Sequence, residues 1–225
     1  MAESRPQSSE SFWVSAILSL SGGFQDAYTY YARGSVFANA QTGNVVLMGH
    51  NFMEGQWAAG LRYLFPLLSF AFGIVVSEAI EHRYKVSQKI HWRQIVLIIE
   101  IALLIAVGFM PEKYNMIANM MVSLSCAMQV QTFRKFHGYG YASTMCIGNL
   151  RNGTESLTTY LITKDRADLV RMFHYYGIIV IFAFGAGIGS IATLEFGLRA
   201  IWASAVLLAC VFLIMRSPET QKGIL

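Results

Sequence analysis

Apolar residues run along this chain in blocks long enough to cross a lipid bilayer, and two polar, glycine-bearing stretches interrupt them. A spanning helix needs about 20 mostly apolar residues. Six segments meet that requirement: 12–32, 62–81, 94–110, 114–133, 172–194 and 198–215. Between the first and second lies 36–53, and between the fourth and fifth lies 141–162. Each of these two is long enough to span but rich in Asn, Gln, Thr, Ser and Gly. The order is span, polar break, span, span, and then the same again.

Residue matches point to a duplication behind that order. "SLSGG" (19–23) answers "SLSCA" (123–127), Gly43-Asn44 answers Gly148-Asn149, and "FAFG" at 70–73 recurs at 182–185. An odd number of spans per repeat inserts the halves with opposite topology, the plan of several transporter folds with broken helices at matching positions. The pattern predicts an all-α integral membrane protein. Six transmembrane helices form two inverted three-helix repeats, each with a polar broken or re-entrant segment. The repeats occupy 12–110 and 114–215, between polar tails 1–11 and 216–225.

Charge bears on whether the breaks span. With both re-entrant and a cytoplasmic N-terminus, twelve basic residues face inward: Arg5, Arg83, Lys85, Lys89, Arg93, Arg134, Lys135, Lys164, Arg166, Arg171, Arg216 and Lys222. Four face outward: Arg33, Arg62, Lys113 and Arg199. With both spanning, the bias vanishes, contrary to the excess of Lys and Arg expected in cytoplasmic loops. One spanning break with an external N-terminus gives the same bias as two re-entrant ones, and the symmetry of the halves decides for the latter.

Composition agrees. The 225 residues are 55% hydrophobic and 13% charged, about half the charge of a soluble domain. The net charge of +4 resides mainly in loops, where it reads as topology and not as a nucleic-acid surface. Cys126, Cys146 and Cys210 form no metal or disulfide pattern. No basic region and cleavage site mark a signal peptide in the polar start "MAESRPQSSE".

At "GFQDA" (23–27) and Thr-Gly-Asn (42–44), with "AMQVQT" (127–132) and "IGN" (147–149), nearly the whole chain resembles the YoaK-like family of uncharacterised bacterial multi-pass membrane proteins. The resemblance implies a bacterial inner-membrane location and brings no established chemistry. Ile147 stands where the pattern has Thr, and Thr132 where it has Asn, which alters the second half-site.

Asp26 is the sharpest single candidate, since a carboxylate inside a span costs at least about 2.5 kcal/mol and usually marks a pathway or proton relay. The competing reading is a structural carboxyl that bonds its neighbours. Glu100 is a second candidate for proton coupling, whereas Glu78 has His82 one turn on, where an interfacial helix pair forms. In the breaks, irregular backbone survives in lipid only where protein buries it or water lines it. Asn39, Gln41, Thr42, Gly43, Asn44, Gln131, Thr144, Gly148, Asn149 and Asn152 are the candidates to line a substrate or ion pathway; helix glue is their alternative role. Arg151 and Glu155 are spaced to pair on one helical face. "GAGIGS" (185–190) reads as a Gly185-Gly189 packing face and not as a dinucleotide loop. Tyr28, Tyr30 and Tyr31 read as an interfacial belt.

No catalytic constellation, metal site or cofactor loop emerges, so the expectation is a non-enzyme without cofactor. The leading reading is a transporter or permease for a small polar solute or ion, with proton coupling at Asp26 or Glu100. A membrane scaffold or sensor is the alternative. The expected partners are the lipid bilayer and the solute, with no nucleic acid, and self-association into a homo-oligomer stays open.

Overall fold

The computed structural model describes residues 12–85, 91–136, 139–140 and 144–216. Eight helices carry the fold: α1 (Phe12–Ala32), α2 (Gln41–Met53), α3 (Trp57–Tyr84), α4 (Trp92–Phe109), α5 (Asn115–Thr132), α6 (Cys146–Thr163), α7 (Arg166–Phe196) and α8 (Ile201–Arg216). Short 3-10 turns precede α5 and α8. A two-residue ladder pairs Lys135–Phe136 with Tyr139–Gly140. Among the described residues, three helical stretches are long and apolar enough to cross a membrane: Trp57–Tyr84, Trp92–Phe109 and Arg166–Arg216, which contains α7, a 3-10 turn and α8.

Many polar side chains are buried beside the apolar core, and large apolar ones face outward. Within α1, Ser15, Ser19, Ser21, Gln25, Asp26 and Thr29 are buried, while Trp13 and Tyr31 are exposed. Phe72, Phe109, Phe184, Ile191 and Leu194 also point outward from their helices. Where the surrounding solvent is apolar, polar side chains gain by turning inward to one another, and α1 sits at the centre of that arrangement between α7, α8 and α5.

Side-chain contacts fix how the helices run. At one end of the bundle, Arg33 after α1 donates to the carbonyls of Val107 and Met110 at the end of α4 and to Asn115 Oδ1 at the start of α5. Tyr28 Oη donates to the Leu198 carbonyl, and Trp202 Nε1 to that of Ile105, which brings the start of α8 to this same end. At the other end, Arg93 Nε donates to the Thr132 carbonyl, and Arg134 pairs with Glu78 and Glu81 of α3. The end of α3, the start of α4 and the end of α5 therefore lie together there.

Two helix pairs run parallel with backbones in close contact. A Cβ on Gly185 of α7 would overlap the Leu20 carbonyl of α1, and one on Gly189 would lie 2.7 Å from Phe24 Cα. In the α3–α5 pair, a Cβ on Gly73 would lie 2.6 Å from the Leu124 carbonyl oxygen, and Ser77 Oγ and Thr132 Oγ1 are 2.9 Å apart one turn on. The GxxxG face expected at Gly185 and Gly189 is thus present, and it is used for helix packing.

The first polar break folds as a hairpin. After α1, Gly34 (φ +87°) and Ser35 (φ +59°) take left-handed conformations that reverse the chain. The leg 33–40 then runs back along α1 until the Asn39 N–H meets Asp26 Oδ1 at 2.7 Å. From there α2, about 20 Å long at 1.5 Å per residue, returns toward the start of α3, where Phe52 rides against Gly60. The second break enters from the opposite end. Its Thr144 lies against Gly22 of α1, and α6 runs from there to the start of α7, with Gly153 packed on Tyr175 and Tyr176.

Candidate functional site

The two breaks meet at Gly22. On the first, Asn39 Nδ2 donates to the Gly22 carbonyl at 3.2 Å. On the second, Thr144 Cγ2 occupies the space a Gly22 side chain would need, with the Phe182 ring of α7 beside it. Only glycine at 22 leaves room for that approach. Asn39 and Thr144 are both 6% exposed, yet Asn39 Oδ1 and Thr144 Oγ1 have no hydrogen-bond partner among the described residues. Buried polar atoms are nearly always satisfied, and these two are among several buried polar atoms without a partner among the described residues.

Asp26 holds this crossing together. Its carboxylate accepts the Asn39 N–H, and the backbone N–H groups of Ala38 and Ala40 also bond to it. Those amides immediately precede α2, whose own N-cap, Ala40, supplies no side-chain cap. Asp26 therefore anchors the leg just ahead of α2, near the end of the helix where the dipole favours an anion. It bonds the leg and not Gln25, Tyr28 or Tyr30, the neighbours its structural reading had suggested.

Other predicted residues divide by place. Asn44 is wholly buried, accepts the Phe37 N–H and donates to the Phe37 carbonyl and Gln41 Oε1, while Gln41 Nε2 donates to the Ala38 carbonyl. Both therefore bind the leg to α2, and Gly43 packs against the Phe37 ring. Asn149 is buried at the matching position of α6, Asn152 is half-buried, and Thr42 and Gly148 are exposed. Gln131 is apart from the crossing, at the far end of α5, where it donates to Glu78. Glu100 is fully buried in α4 with neither carboxylate oxygen bonded among the described residues.

Several expected pairs form differently. Glu78 bonds Gln131 and Arg134 across helices instead of His82 within its own, because the close α3–α5 packing brings those partners nearer. Arg151 and Glu155 are both exposed and form no ion pair with each other. Tyr30 and Tyr31 are exposed, but Tyr28 is wholly buried between Arg33 and Leu198.

Sequence reasoning missed two features. Arg33 reads as an ordinary loop cation, yet it is 1% exposed and spends its guanidinium on Tyr28, Val107, Met110 and Asn115. A second cluster lies one turn from Asp26: Gln25 Nε2 donates to Ser21 and Ser204, which bond each other at 2.6 Å, while Cys126 Sγ donates to Gln25 Oε1 at 2.9 Å. Only the in-span polarity of "SLSGGFQDA" signalled it.

Long apolar helices with rings outside and Ser, Gln, Asp and Asn inside define an all-helical membrane protein. Over residues 14–214 the chain matches the family described as protein of unknown function DUF1275, and it belongs to that family. No curated protein and no solved structure matches the chain.

Proposed function

We propose that this protein is a permease of the bacterial inner membrane, not an enzyme, that moves a small polar solute or ion through the crossing at Gly22. The observation that carries the reading is the convergence of Asn39 from the first break and Thr144 from the second on one glycine, with Asn39 Oδ1 and Thr144 Oγ1 unpaired among the described residues. In this reading α1, α3, α4, α5, α7 and α8 span the membrane, α2 and α6 re-enter from opposite sides, and the N-terminus is cytoplasmic. Thr144, Asn149 and Asn152 belong to the second half-site, and Asp26 and Glu100 are the carboxyl groups available for proton coupling.

Support for the inverted repeat comes from an exchange of contacts between sequence-matched residues. Gly185, from the second "FAFG", lies against Leu20 of the first "SLS" motif, and Gly73, from the first "FAFG", lies against Leu124 of the second. α1 pairs with α7 as α5 pairs with α3, and α2 and α6 each pack on the helix that follows. Such reciprocity is what a two-fold axis in the membrane plane produces. The end of the bundle that carries Arg83, Lys85, Arg93, Arg134, Lys164, Arg166 and Arg216 is then cytoplasmic.

The use of Asp26, Gln41 and Asn44 to hold the first hairpin favours a second reading, a non-transport scaffold or sensor. Single cysteines at 39 and 144 discriminate. In the permease both react with small water-soluble thiol reagents, a stabilising solute in a thermal-shift screen protects them, and Asp26→Asn alters uptake with expression unchanged. Inaccessible thiols and no stabilising solute would leave the scaffold.

A further inference from the structure

α6 presents a face that lipid cannot satisfy. Ile147, Arg151, Thr154, Thr158 and Leu161 are all exposed and recur at intervals of four, three, four and three residues, the spacing of a helix seam. Glu155 flanks the seam, and Asn149, Gly153 and Ser156 are buried on the other side of the helix. Arg151 and Glu155 enter no ion pair among the described residues. Thr154 Oγ1 lies 3.0 Å from the hydroxyl of Tyr176, ten residues into α7, about 15 Å from its start. At that level the exposed residues of α7 itself are the apolar Phe173 and Val180. α2 serves as an internal comparison, because it exposes Val45, Val46 and Met53 beside Thr42 and His50 and carries no Arg, Lys, Asp or Glu, whereas α6 sets Arg151 and Glu155 beside its exposed Leu150 and Ile162.

We propose that this face of α6 is an interface between two copies of the chain, in which Arg151 of each copy pairs with Glu155 of the other. The proposal rests on the six-span reading, which puts α6 within the membrane. A two-fold axis makes the patch self-complementary, since each copy brings one cation and one anion and two ion pairs form. Thr154 and Thr158, whose hydroxyls donate to the Leu150 and Thr154 carbonyls of their own helix, are small enough to allow close approach at the seam. Ile147 and Leu161 close its two ends, where a water-filled vestibule would have no use for exposed isoleucine or leucine. Charges that would be stranded against lipid are instead neutralised in pairs.

Disulfide trapping in native membranes tests this, on the full chain with Cys146→Ser and Cys210→Ser and with Cys126 kept, since it is buried. Thr158→Cys should form a covalent dimer on mild oxidation, several-fold more than Ile188→Cys on the exposed apolar face of α7. Arg151→Glu or Glu155→Arg alone should reduce trapping at least five-fold, and the double swap should restore it. The idea is overturned if Thr158→Cys traps no better than Ile188→Cys, or if the double swap accumulates normally without restoring the dimer. Labelling of Thr158→Cys by a membrane-impermeant maleimide without trapping would also overturn it and assign the face to water. The thiol readouts at 39 and 144 are separate, so failure here and failure of the permease reading are told apart.

Discussion

Gly22 and Thr144 touch where no side chain larger than hydrogen fits: a Cβ on Gly22 would overlap Thr144 Cγ2. One contact thus joins the central helix to the second break, 122 positions away in sequence. Gly22→Ala should lower stability by about 1–3 kcal/mol through overpacking. Thr144→Ser removes the offending methyl, so the double variant should recover most of the loss. Thermal unfolding in detergent of the four proteins reads the cycle, and an additive double variant would mean that the two residues do not meet.

Asp26 should matter to the first hairpin before it matters to any proton. Asp26→Ala leaves the Asn39 amide unpaired and should cost about 1–3 kcal/mol. Asp26→Asn keeps one acceptor and should cost less. Hydrogen exchange of the Ala38–Ala40 amides should rise in the alanine variant, while the α3–α5 contact region stays protected. Equal exchange in both proteins would count against Asp26 as the anchor of this leg.

Arg33 and Tyr28 form one unit, with Arg33 Nε donating to Tyr28 Oη at 2.8 Å. Tyr28→Phe should cost about 1 kcal/mol and Arg33→Lys about 1–3 kcal/mol, because an ammonium lacks the planar fork that serves Val107, Met110 and Asn115 together. Their double variant should show a coupling of at least about 0.5 kcal/mol. Strict additivity in chemical denaturation would argue that the two act independently.

The exchanged glycine contacts predict matched phenotypes. Gly73→Ala and Gly185→Ala each drive a methyl into a backbone carbonyl of the neighbouring helix, and each should lose at least about 2 kcal/mol. Gly187, two residues from Gly185, has open space around it. There alanine should be neutral or stabilise by up to about 1 kcal/mol through helix propensity. Folded yield by size-exclusion chromatography separates the cases, and equal yields for all three would refute the close packing.

His91 introduces a pH dependence outside the spans. Its Nδ1 accepts the Arg93 N–H at 3.3 Å at the start of α4, and burial, with the Arg93 charge adding, holds the imidazole below its ordinary range. The native state then binds the proton less readily than the unfolded chain, so this stability is full above about pH 6.5 and falls as pH drops through the lowered native value. His91→Asn keeps a capping acceptor that does not titrate. Between pH 7.5 and 5, the wild type should lose more melting temperature than the variant, and parallel curves would exclude the cap as the source.

The helices, the places where they break and the recurrence of three short motifs are legible in the sequence. Those features depend on local hydropathy and glycine, which the solvent reads directly. The sequence also identified Asp26, Asn39 and Thr144, because polar groups in apolar runs stand out one residue at a time. Tertiary structure alone decided which of them meet. Gly22 carries no side chain to announce its role, Arg33 looks like any loop cation until α4 ends beside it, and Glu78 prefers Gln131 and Arg134 to His82 because α3 and α5 pack at backbone distance. Partners of this kind lie from 53 to more than a hundred residues apart. Their choice belongs to packing between helices, which a one-dimensional pattern does not encode.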